Sequence, residues 1–115
     1  MERLRVLVVD PFGIDFGPKS AKRLKETLGE LGYGSAKVEA GGLDRDLDIR
    51  EKIANAHGVV HLFSDERRFR DDIAKIKANM TDGKLLSLSD RPTDLEYSRI
   101  AKEIIQHYEG LTARK

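Results

Sequence analysis

Three aspartates stand where apolar runs end: Asp10 after "RVLVV", Asp65 after "GVVHLFS" and Asp90 after "KLLSLS". Carboxylates that converge in this way offer oxygen ligands to Mg²⁺, with Asp10 placed to accept a phosphoryl group. Directly after Asp10 comes "PFGIDFGPKS", a glycine-rich stretch between an apolar run and the helical pattern "AKRLKETLGELG". Backbone N–H groups at such a junction hold anions, because a helix begins with unpaired donors and a positive dipole end. The helix nevertheless opens with Lys19, Lys22, Arg23 and Lys25, and a later one with Arg67, Arg68 and Arg70, where cations are disfavoured. A bound anion relieves both mismatches. The candidate ligand-binding set is therefore Gly13, Asp15, Gly17, Lys19, Ser20, Arg23, Arg67 and Arg68, and the candidate metal set Asp10, Asp65 and Asp90. Plain structural duties compete with each role: Asp65 as a helix cap, Asp10 and Asp90 as turn formers, and basic side chains simply turned to water.

Composition removes several chemistries. Cys is absent, so disulfides, thiolate nucleophiles and Cys-based zinc sites are excluded. "GIDFGPKS" is no nucleotide-binding loop, since Gly13 and Gly17 enclose three residues where four are needed and Pro18 removes an N–H. His57, His61 and His107 are scattered without ligand spacing. His61, inside "VVHLF", reads as a hydrogen-bonded core residue and His57 as a favourable cation at a helix end. Tyr97 and Tyr108 read as core or boundary packing. A net charge of +1 gives no basic field that calls for nucleic acid. A mean hydropathy of −0.50, short apolar runs and an acidic, polar start argue against a membrane span or secretory signal, so a cytoplasmic protein is expected. Charged residues at 36% with neither Cys nor Trp fit a heat-adapted source.

The elements that must position these residues alternate along all 115 residues, which predicts one domain. Strands are expected at 5–10, 35–40, 58–64 and 84–89. Helices follow them: one over "SAKRLKETLGELG" with Ala21, Leu24, Leu28 and Leu31 as its stripe, and a second over "IREKIANA" capped by Asp48. A third carries Phe69, Ile73, Ile76 and Met80, and the last begins near Thr93 or Asp94, with "GLTARK" frayed. Right-handed crossovers turn βαβαβαβα into a parallel sheet with helices on both faces. The two most apolar strands belong at its centre, giving the order 2-1-3-4, with ligands expected at the carboxyl ends of strands 1 and 3. An edge at strand 2 or strand 4 either pairs or is blunted by its charges.

With those residues in place, "VVDPFGIDFGPKSAKRL" resembles the phosphate loop and first helix of the low-molecular-weight protein tyrosine phosphatases, whose pattern is V-C-x5-R-S-P. "ANAHGVVHLFSDERRFRDDIAKI" is similar to the family's later strand and charged helix opening, and "LSLSDRPTDLEYSRIAKEI" to its acid-bearing loop, with Asp90 or Asp94 near the general acid. The resemblance implies a phosphatase-like, flavodoxin-like three-layer sandwich. It departs where the chemistry lies: Asp10 stands for the nucleophilic cysteine, Phe16 for the phosphate-clamping arginine and Gly17 for the serine, while Pro18 is kept. Thiol-dependent phosphatase chemistry is thereby excluded. The resulting expectation is a non-catalytic or regulatory module without a cofactor, binding a small anion, a phosphorylated ligand or an acidic protein surface at the loop after strand 1. The alternative is Mg²⁺-dependent phosphoryl acceptance at Asp10, as in response-regulator receiver domains, although their strand-end lysine has no counterpart here.

Overall fold

A computed structural model describes residues 3–10, 16–63, 66–89 and 92–113, Glu66 through its backbone alone. The elements run β1 (Arg5–Asp10), α1 (Phe16–Glu30), β2 (Lys37–Gly42), α2 (Ile49–Asn55), β3 (Gly58–Phe63), α3 (Glu66–Asn79), β4 (Lys84–Ser89) and α4 (Asp94–Ala113). All neighbouring strands pair parallel, in the order β2-β1-β3-β4. This is the expected α/β sheet, and the reason is visible in its centre: Val8, Val9, Val59 and Val60 are completely buried, which only strands covered on both faces require.

The strand period of two divides the apolar residues between two cores. Val6, Val8, Val60, Leu62 and Leu88 meet Leu24 and Leu28 of α1 and Ile100 and Ile104 of α4. Leu7, Val9 and Val59 meet Ile49 and Ile53 of α2 and Ile76 of α3. Each Leu or Ile buried in this way contributes about 1.5–3 kcal/mol. Because the strands are parallel, α1, α3 and α4 all begin at the same end of the sheet.

Several boundaries differ from the sequence reading. Helix α1 begins at Phe16, so Gly17 to Ser20 are helical; Pro18 is its third residue, within the turn whose N–H groups have no intrahelical acceptor in any case. The helix stops at Gly32, which takes a positive φ of 95° while Tyr33 N–H bonds back to Leu28 O at 2.9 Å. Leu31 therefore lies beyond the stripe and is exposed. Asp48 precedes α2 without any side-chain capping bond; its carboxylate faces Lys52 instead, at 3.8 Å. His57 is not a helix-end cation, because its buried Nδ1 accepts the Arg5 N–H at 3.0 Å. Helix α4 continues through Ala113, beyond the expected fraying point.

Candidate functional site

At the carboxyl end of β1, Asp10 turns back toward α1, and its Oδ2 accepts the Gly17 N–H at 3.0 Å. The approach is close enough that a Cβ on Gly17 would lie 2.6 Å from that oxygen. A side chain there would have to displace the carboxylate oxygen. A carboxylate of the chain itself thus answers the positive opening of α1, the duty the sequence reading assigned to a bound anion. Gly13 and Asp15, the remaining loop members of the predicted set, lie outside the described residues.

Ser20 is buried, and its hydroxyl bonds Tyr97 OH at 2.8 Å, which removes it from the rim. Arg23 reaches α4, with Nε and Nη2 at 3.2 and 3.1 Å from Asp94 Oδ1, and also meets Glu26 at 3.4 Å. These bonds set the opening of α4 beside the first turns of α1. The opening of α4 is itself fixed by a reciprocal capping box, Thr93 N–H to Glu96 Oε1 and Glu96 N–H to Thr93 Oγ1, both at 3.2 Å. Two large apolar side chains stand in water on these joined openings: Phe16 is 47% exposed and Leu95 83%. Lys19 and Lys22 are exposed beside them, and no described carboxylate pairs with either.

The basic opening of α3 belongs to the other face of the sheet. Arg68 pairs with Asp44, in the turn after β2, and lies 3.8 Å from Asp72 Oδ1; Lys75 also holds Asp44, at 3.2 Å. The Arg68 hydrogen bond foremost, then Lys75, holds the Asp44 carboxyl below its ordinary value despite partial burial. Arg67 is exposed and engaged in an interaction of its own. The two basic clusters expected to grip one anion are thus on opposite faces, and Arg23 and Arg68 are occupied by carboxylates of the chain.

Beneath Arg68, His61 is completely buried and its Nε2 lies 3.2 Å from Asp72 Oδ2, as a hydrogen-bonded core histidine should. Phe63 and Phe69 lie against the imidazole at centroid distances of 6.1 and 5.4 Å. His61 Nδ1 and Asp72 Oδ1 have no hydrogen-bond partner. The sequence reading missed Asp72. Its signal was spacing, since it falls three residues after Phe69 and four before Ile76, on the apolar stripe itself.

Among the described residues no group of three or more His, Cys, Asp or Glu is arranged to hold a metal ion; Asp65 and Asp90 lie outside them. None of the described helices is long and apolar enough to cross a membrane. The parallel order, the switch between β1 and β3 and the helices on both faces define a flavodoxin-like α/β sandwich. No protein-family model matches the chain, and no curated protein does. Among solved structures it is similar to a diflavin flavoprotein A3 from Nostoc sp., with a TM-score of 0.51 and 10% identity over 93% of this chain and 96% of that one. At that identity the likeness shows the fold alone.

Proposed function

We propose that the chain is a non-catalytic binding module whose joined α1 and α4 openings receive an acidic protein surface. The observation that supports this is the pair Lys19 and Lys22, exposed and unmatched by any described carboxylate, beside the exposed rings and methyls of Phe16 and Leu95. Apolar groups contribute contact area and the lysines select for negative charge and speed encounter. The reading keeps the phosphatase-like scaffold inferred from sequence and moves the ligand outward. Asp10 already accepts the Gly17 N–H, so a free phosphate at the start of α1 finds like charge, whereas an acidic surface docking outside it meets the exposed Lys19 and Lys22, the neighbouring Asp94 and Glu26 being paired with Arg23.

Titration of the ¹⁵N-labelled protein tests this with two probes, inorganic phosphate and a peptide of alternating glutamate and leucine. The peptide is expected to shift the amides of Phe16, Lys19, Lys22 and Leu95, and the shifts to weaken with added salt. The double substitution Lys19→Glu with Lys22→Glu is expected to lower the peptide's affinity by about tenfold or more, each lost exposed pairing contributing under about 1 kcal/mol. Peptide shifts that are absent, or that survive the double charge reversal, overturn the proposal. Shifts with phosphate alone return the site to the inner loop.

A further inference from the structure

Helix α3 is held to the sheet differently from the other long helices. Helix α1 is seated by buried Leu24 and Leu28, and α4 by Ile100 and Ile104. Among the described side chains of α3 only Asp72 and Ile76 are buried, with Arg68, Phe69 and Ile73 half-buried and Arg67, Arg70 and Asp71 exposed. Ile76 belongs to the later half of the helix. The one sealed anchor of its opening turns is therefore polar, Asp72 Oδ2 with His61 Nε2 at 3.2 Å.

That anchor suits one protonation state. An ionised carboxylate only accepts hydrogen bonds, so Nε2 carries the imidazole proton and Nδ1 is a bare acceptor. A proton added at Nδ1 creates a cationic N–H, and no described group is in place to accept from it; such a donor is costly in an apolar setting, here beside the rings of Phe63 and Phe69. The charged groups that face the imidazole from α3 are Asp72 and, behind it, Arg68, 3.8 Å from Asp72 Oδ1. From the turn after β2, Asp44 acts through Arg68 and Lys75, which it holds. The neighbours of His61 across the sheet are Val9 of β1 and Ser87 of β4, neither of which titrates near neutral pH. Burial thus outweighs the pull of Asp72 and holds the imidazole below its ordinary value of 6.5.

We infer that the opening of α3 is an acid-released flap: a proton taken from solvent by His61 detaches the turns over 68–73 from the sheet while the rest of the fold stays closed. Detachment lets Nδ1 reach water. It also uncovers Phe63 and Phe69, which pack edge to face at 4.9 Å, so an aromatic surface at the carboxyl end of β3 is offered in acid and withdrawn at neutral pH. The opening stays local because the core under α1 and α4, on the other face of the sheet, includes no residue of α3, and Ile76 keeps the later half of the helix in place.

Hydrogen exchange of the full chain, expressed as protection relative to the intrinsic rate of each amide, tests this at about pH 7.5 and about pH 5.5. One proton of difference between the open and closed forms multiplies the open population about tenfold over that interval, for an ordinary imidazole value of 6.5. The Asp72 and Ile73 amides are expected to be less protected than Val60 at both values and to lose about tenfold of that protection in acid. In low urea their protection is expected to stay level while that of Val60 falls, since a local opening exposes little surface. His61→Gln, which leaves His57 and His107 to titrate, is expected to abolish the acid loss. If it does not fold, His61→Leu with Asp72→Leu sets an apolar pair in place of the dyad and serves the same comparison. Protection at Asp72 and Ile73 equal to that of Val60, no loss in acid for the parent, or the same loss in either variant overturns the inference.

Discussion

His61 and Asp72 form an incompletely satisfied polar contact in the described core, since each keeps one atom without a hydrogen-bond partner and an unpaired buried polar atom costs stability. Burial holds the imidazole below its ordinary value of 6.5, against the opposing pull of the Asp72 hydrogen bond. The sign for stability follows. Below 6.5 the unfolded chain takes up a proton that the folded chain resists, so the unfolded state binds more protons there and stability falls as pH falls. Above 6.5 both states carry a neutral imidazole and the contribution is constant. One proton of difference limits the slope to about 1.4 kcal/mol per pH unit. Urea unfolding between about pH 7.5 and about pH 5.5 is therefore expected to show a loss on the order of 1 kcal/mol that His61→Gln abolishes. Equal pH slopes for the parent and the variant would show that the dyad does not titrate with folding. The glutamine keeps an N–H for Asp72, so the comparison removes the titration and not the contact.

At the scale of elements, one interlock that holds the opening of α1 joins Asp10 at the end of β1 to the Gly17 N–H it accepts, with no Cβ at that position. Gly17→Ala places a methyl carbon 2.6 Å from Asp10 Oδ2, so either the carboxylate or the helix must move. We expect a loss of about 1 kcal/mol or less in denaturant unfolding, the displaced hydrogen bond being partly offset by the helix preference of alanine, with amide shifts concentrated in the first turn of α1. An unchanged midpoint would mean that Asp10 has other places to go. This interlock also shows what was legible beforehand. Strand β4 and the central runs of β1 and β3 were readable because short runs rich in valine and leucine between turn signals allow few other readings, and the order 2-1-3-4 followed from which runs were most apolar. The start of α1 was not, because glycine and proline, which usually mark a loop, here serve close approach and the first helical turn. The destinations of Arg23, Arg68 and Ser20 were hidden for a different reason: Asp94, Asp44 and Tyr97 lie 71, 24 and 77 positions away in sequence, and spacing carries no information about partners brought together by the sheet.

Across the whole molecule, stability is graded from the centre of the sheet outward. Val8, Val9, Val59 and Val60 are sealed between two helical layers, so their amides exchange only when both cores open, near the full unfolding free energy. Amides on the outer sides of β2 and β4 have no ladder partner in a single chain and exchange by local exposure. The outward Leu85 and Ser87 amides of β4 and Val38 and Ala40 of β2 are therefore expected to exchange about a hundredfold or more faster than Val8 and Val60, each 1.4 kcal/mol of opening free energy being one decade. Hydrogen exchange read at single amides checks this. Protection at Leu85 and Ser87 equal to that of Val8 and Val60 would show that the outer side of β4 is covered.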